Sequence, residues 1–154
     1  MIRLAAAAAA AIALTTAAGA QPVESQWRAT AHATGTGYET GTFDQPIDGG
    51  LRIACLSDGS ATLSTQIKGV APTAGSRFLV IPATRGGTTQ TFAYTAGADG
   101  TSTVTRARSD RQFGRLWAAL QGGNNVTVRY ADGSFAVQSL AGTRTTLPAR
   151  PCGR

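Results

Sequence analysis

Between residues 51 and 139 the apolar residues come in short alternating bursts separated by turn residues. Three Asp-Gly pairs lie between such bursts, a strong short-range signal for a β-hairpin. In LRIACLSDGSATLSTQIKG, Leu51, Ile53 and Cys55 alternate before Asp58-Gly59, and Leu63, Thr65 and Ile67 alternate after it. In TQTFAYTAGADGTSTVTRAR, Phe92 and Tyr94 precede Asp99-Gly100 and Val104 follows. In NVTVRYADGSFAVQSLAG, Val126, Val128 and Tyr130 share one face, and Phe135 and Val137 return after Asp132-Gly133. The continuous run RFLVIPA, from Arg77 to Ala83, predicts a central strand that ends at Pro82, because proline cannot donate to a ladder. WRATAHAT and YETGTFD predict two further strands nearer the start.

One segment has a different period. In SDRQFGRLWAALQGG, Phe113, Leu116, Trp117 and Leu120 recur at i, i+3, i+4 and i+7, one face of a helix. Ser109 or Asp110 can cap its start, and Gly122-Gly123 can end it. The pattern as a whole predicts a mainly β fold: an antiparallel sandwich or partly open barrel of hairpins, with one short helix before the last hairpin. Abundant Thr, Ser and Gly suit sheets with one solvated face.

The first twenty residues do not share this pattern. Arg3 is followed by an alanine-dominated apolar run, Leu4 to Leu14, and then by Ala18-Gly19-Ala20. That order predicts a signal peptide over residues 1–20, with the mature chain starting at Gln21. The run is about half of the roughly 20 residues that span a bilayer, and no later run is long enough. Residues 21–154 are then a single β-rich domain, periplasmic or secreted, long enough to build a core without dense disulfides.

Export changes the meaning of the two cysteines. In an oxidising compartment two cysteines usually pair, so a Cys55–Cys152 disulfide is expected, stapling the tail onto a strand. The competing reading is two free thiols, or one joined to a partner chain.

Charge adds a second candidate feature. The chain carries 14 Lys and Arg against 8 Asp and Glu, a formal net charge of +6. Lys68 is the only lysine. Arginine suits planar, bidentate partners such as carboxylate and phosphate, although alanine and arginine enrichment also follows from a GC-rich genome. In TRARSDRQFGR, Arg106 and Arg108 share a face if they lie on a strand. Arg111 and Arg115 share a face on the helix. Together they are the candidate ligand-binding residues, for an acidic envelope protein, an anionic glycan or a lipid head group. Nucleic acid is not expected, because no aromatic platform accompanies the arginines.

Catalytic chemistry finds little support. His32 is the one histidine; as a general base it needs a serine and an acid, and on an edge strand it is an ordinary surface residue. No Gly-x-Ser-x-Gly elbow occurs. Asp58, Asp99 and Asp132 are accounted for as turn residues. Glu39 and Asp44 are the carboxylates a small hydrolase would use with His32. One histidine and two paired cysteines leave no zinc set, and the Asp-Gly-Ser turns lack the spacing of a calcium loop. No metal or cofactor is expected.

The C-terminal stretch FGRLWAALQGGNNVTVRYADGSFAVQSLAGTRTTLPARPC resembles the end of small exported proteobacterial domains. Invasion-associated locus B proteins and type VI secretion accessory periplasmic proteins are similar there. Leu116, Leu120 and Gly122 match the helix, Leu140 and Gly142 a turn, and Cys152 a terminal cysteine, with Cys55 as the earlier half of the pair. The resemblance implies a β-rich exported domain. The function expected is a non-enzymatic accessory or binding domain of the cell envelope. The alternatives are an anionic-ligand binder using the arginine cluster, or a hydrolase built on His32 with Glu39 or Asp44.

Overall fold

The computed structural model describes residues 27–32, 34–40 and 49–153, apart from the side chain of His32. The segment expected to be a signal peptide (residues 1–20), the expected Ala20/Gln21 junction and Asp44 lie outside the described residues. The described chain forms β1 (Arg28–His32), β2 (Gly35–Thr40), β3 (Gly50–Leu56), β4 (Ala61–Gln66), β5 (Arg77–Thr84), β6 (Phe92–Thr95) and β7 (Ser102–Val104). It continues through α1 (Arg111–Gly122), β8 (Gly123–Tyr130), β9 (Phe135–Ser139) and α2 (Thr143–Thr146). The strands make two antiparallel sheets, ordered β1-β2-β3-β4-β7 and β6-β5-β8-β9. The architecture is an open sandwich, and no helix among the described residues is long and apolar enough to cross a membrane.

The core lies between the sheets. Ile53 pairs with Leu63 and Tyr38 on one sheet, and Phe78, Val80, Val126 and Val128 are buried on the other. Helix α1 closes the core with Phe113, Leu116, Trp117 and Leu120, the stripe its period predicts, together with Ala119. Burying one such large apolar side chain stabilises by about 1.5–3 kcal/mol. Trp117 meets Tyr38 edge-on at 5.6 Å and Phe113 at 5.7 Å. The Asp110 carboxylate caps the helix by accepting from the Phe113 amide at 2.7 Å, which satisfies one of the orphan donors of the first turn. Trp27 enters the same core and is 4% exposed.

The first and third Asp-Gly segments are hairpins, β3–β4 and β8–β9. The second is not. Strand β6 pairs with β5 in one sheet, while β7 pairs with β4 in the other, so Asp99-Gly100 carries the chain from sheet to sheet. The third hairpin differs from its alternation in another way. Phe135 pairs with Arg129 and Val137 with Thr127, and directly paired residues share a face. Phe135 and Val137 therefore point outward, 60% and 53% exposed, while Ala136 and Gln138 take the buried face. A three-residue loop sets that register, with Tyr130 N–H donating to the Ser134 carbonyl at 2.9 Å.

Pro82 does not end its strand; β5 runs on to Thr84. The Pro82 carbonyl accepts from the Gln90 amide at 3.2 Å. In extended backbone a residue's nitrogen and carbonyl point to the same side, so the ring nitrogen faces Gln90, an exposed residue outside β6 that does not depend on a ladder donor. A second short helix, α2, follows the last hairpin, and no hydrophobic period marks it in the sequence.

Candidate functional site

Cys55, buried on β3, is joined to Cys152 with Cα atoms 5.3 Å apart and a sequence separation of 97. Closing a loop of that size stabilises by about 4–5 kcal/mol through loss of unfolded-state entropy. Further contacts seat the tail. The Trp117 indole N–H donates to the Pro148 carbonyl at 2.8 Å, and the Gln121 amide donates to the same oxygen at 2.9 Å. The Arg108 Nε donates to the Cys152 carbonyl at 3.1 Å.

The four candidate arginines occupy one continuous segment, but not the elements expected for all of them. Strand β7 ends at Val104, and residues 105–109 form a turn. Arg106 has a left-handed backbone (φ 54°), and its carbonyl accepts from the Ser109 and Asp110 amides. The strand argument for Arg106 and Arg108 sharing a face therefore fails, because the two-residue period holds only in extended chain. Arg111 and Arg115 do lie on one face of α1. All four are exposed, and Arg108 divides its guanidinium between solvent and the tail.

Glu39 has a structural environment. It is 1% exposed, and in register it lies between Arg28 of β1 and Arg52 of β3. The Arg28 Nε donates to its Oε1 at 2.8 Å, and the Arg52 Nε donates to its Oε2. A buried carboxylate requires such compensation, because leaving it unpaired would cost several kcal/mol. His32 lies opposite Gly35, at the other end of the β1–β2 ladder. Four residues of strand, about 13 Å, separate it from the Arg28–Glu39 pair. The expected convergence of His32 with Glu39 is therefore replaced by an Arg–Glu–Arg row, and Asp44 lies outside the described residues. Among the described residues no group of three His, Cys, Asp or Glu side chains is placed to hold a metal ion.

A cavity of about 350 Å³ opens where α1 passes into β8 and α2 folds back over the junction. Arg85, Gln121, Asn124, Ser139 and Arg144 provide its polar lining, and no carboxylate is among its lining residues. The walls approach closely. A β-carbon on Gly123 would lie 2.5 Å from Leu140 Cδ1 and 3.0 Å from the Ala119 and Ala83 carbonyl oxygens, so only glycine fits there. Buried Thr143 donates to the Leu120 and Leu140 carbonyls. The Arg144 Nε donates to the Gln121 carbonyl at 3.1 Å. Sequence reasoning missed this site: Arg85 and Arg144 belong to no common motif, and only the fold brings them to one cavity.

A family model, YfjT, matches residues 25–147. The chain belongs to the YfjT family. The matched span of this YfjT-family chain includes both sheets, the arginine segment and every residue lining the cavity, and it ends five residues before Cys152. No curated protein and no solved structure matches the chain.

Proposed function

We propose that this protein is a non-enzymatic binding or accessory domain of the cell envelope, periplasmic or secreted after removal of residues 1–20. The observation that carries the proposal is the Cys55–Cys152 bridge, a linkage rare in reducing compartments, on a chain that opens with a signal-like segment. The C-terminal resemblance to exported proteobacterial domains supports the same compartment. The test is to recover the protein from a periplasmic or extracellular fraction, sequence its N-terminus and titrate its thiols without reductant. A chain starting at Gln21 with no alkylatable thiol is expected. An unprocessed cytosolic chain with two free thiols would overturn the proposal, and hydrolysis of a cell-wall or peptide substrate would overturn its non-enzymatic part.

A second reading is favoured by the exposed arginines 106, 108, 111 and 115, with Arg108 anchored on the tail. They would recognise an acidic envelope protein, an anionic glycan or a lipid head group. Such an affinity falls with added salt and with Arg106→Ala plus Arg111→Ala; salt-independent binding argues against it.

A further inference from the structure

We infer that the cavity at the α1–β8 junction is a binding site for a small oxyanion, a phosphate or carboxylate group. The inference does not depend on the protein's compartment or on the arginines of the 106–115 segment. Two arginines, Arg85 and Arg144, line one cavity, and no carboxylate residue is among its lining. The only ion pairs among the described residues are those of Glu39 with Arg28 and Arg52, so neither cavity arginine has an acidic partner there. Bringing two like charges to one concave surface is unfavourable unless an anion bridges them, and guanidinium groups match the planar geometry of carboxylate and phosphate oxygens.

The arginines are positioned differently. The Arg144 side chain is held by its Nε bond to the Gln121 carbonyl, which leaves the two terminal nitrogens to bind. That bond also places a cation on one carbonyl at the C-terminal end of α1, offsetting part of the negative charge that would oppose an anion there. Arg85 stands on the turn after β5, a turn closed by the Thr84 amide on the Thr88 carbonyl and the Gly87 amide on the Thr84 carbonyl. Its guanidinium makes no hydrogen bond or ion pair with another described residue. The Asn124 amide and the Ser139 hydroxyl supply neutral donors; the Ser139 oxygen already accepts from the Ala141 amide, so its hydrogen is available. A volume of about 350 Å³ suits a small molecule or a single charged group of a larger one.

The test is a heteronuclear NMR titration of the disulfide-bonded protein with inorganic phosphate and, separately, with malonate, at constant ionic strength against a sodium chloride control. Saturable shifts centred on the amides of Asn124, Ala141, Gly142 and Thr145 are expected with at least one of the two, and the tighter probe identifies the group. R85Q and R144Q should each weaken binding by about tenfold. R85Q is the safer variant, since the native side chain makes no hydrogen bond or ion pair with another described residue. If Arg144 only caps α1, R144Q lowers the melting temperature and leaves binding unchanged, and the proposal fails. It fails also if both probes reproduce the chloride control, if the shifts centre on residues 106–115, or if R85Q binds as tightly as the native protein.

Discussion

The Asp58-Gly59 and Asp99-Gly100 turns have the same local structure and opposite consequences. In each, the aspartate Oδ1 accepts from the backbone amide and the hydroxyl two residues on, Ser60 in one and Thr101 in the other. In each, the residue two before the aspartate donates to the carbonyl two after it: Leu56 to Ser60 at 2.9 Å, Gly97 to Thr101 at 2.6 Å. Each glycine is left-handed, with φ of 86° and 77°. Yet the first turn continues into a ladder, Cys55 opposite Ala61, and the second opens. Ala96 exchanges hydrogen bonds with the Gly75–Ser76 segment of its own sheet, while Ser102 pairs with Leu63 in the other sheet. A turn reverses the chain over a few residues, but the partners of the flanking strands are chosen by whatever edge lies within reach. The third turn, at Asp132-Gly133, repeats the first in both respects.

The comparison ranks what should matter to stability. If tertiary placement outweighs the turns, replacing both Cys55 and Cys152 with serine should cost most, about 2–5 kcal/mol in urea unfolding. A loss smaller than that of any turn substitution would reverse the ranking. The glycines come next. Alanine in left-handed backbone costs about 1–2 kcal/mol at each of Gly59, Gly100 and Gly133. Only at Gly100 would the new β-carbon also collide, 2.9 Å from Ala71 Cβ and 3.3 Å from the Pro72 carbonyl; the other two have nothing within 4 Å. G100A should therefore destabilise more than G59A or G133A, by roughly 1 kcal/mol beyond the shared backbone term, and equal losses would remove the distinction between crossover and hairpin.

The smallest effects concern what the turns share. D58A, D99A and D132A should each shift the unfolding midpoint slightly and by similar amounts, because the local bonds are the same. All three carboxyls are held below their ordinary range. The leading cause is the serine hydroxyl bond for Asp58 and Asp132, and the Thr101 backbone amide for Asp99. A carboxyl whose folded value is depressed contributes stability above its unfolded value, near pH 4, and loses it as pH falls through the folded one. Carboxyl-carbon NMR should show all three titrating below the unfolded peptide value; an ordinary value for Asp99 alone would show that the crossover turn is locally different after all.

Much of the fold was legible because it is periodic. The helix stripe at Phe113, Leu116, Trp117 and Leu120, the Asp110 cap, and the β3–β4 and β8–β9 hairpins all follow from spacings within a single segment. The misread features depend on longer-range relations. Pro82 is tolerated inside β5 because the residue facing its nitrogen, Gln90, is exposed and outside β6. Phe135 and Val137 face outward because a three-residue loop sets their register. Arg106 and Arg108 left the expected strand because the chain turns at residue 105 to reach the start of α1. Among the candidate residues, the Cys55–Cys152 pair was legible because two cysteines leave one intramolecular choice. Glu39 was not, since its two arginine partners are cross-strand neighbours rather than sequence neighbours.

The amino-acid sequence by itself determined the kinds of element, their approximate order, the local form of the three Asp-Gly turns and the identity of the bridge. These depend on contacts between residues a few positions apart, or on a pairing with no competitor within the chain. Only the tertiary structure decided that β6 and β7 part company, that buried Glu39 sits between two arginines on one sheet, and that Arg85 and Arg144 line one cavity. Each of those outcomes depends on which distant strand edge or helix end is already in place, and that is a property of the packed sandwich rather than of any stretch of the chain.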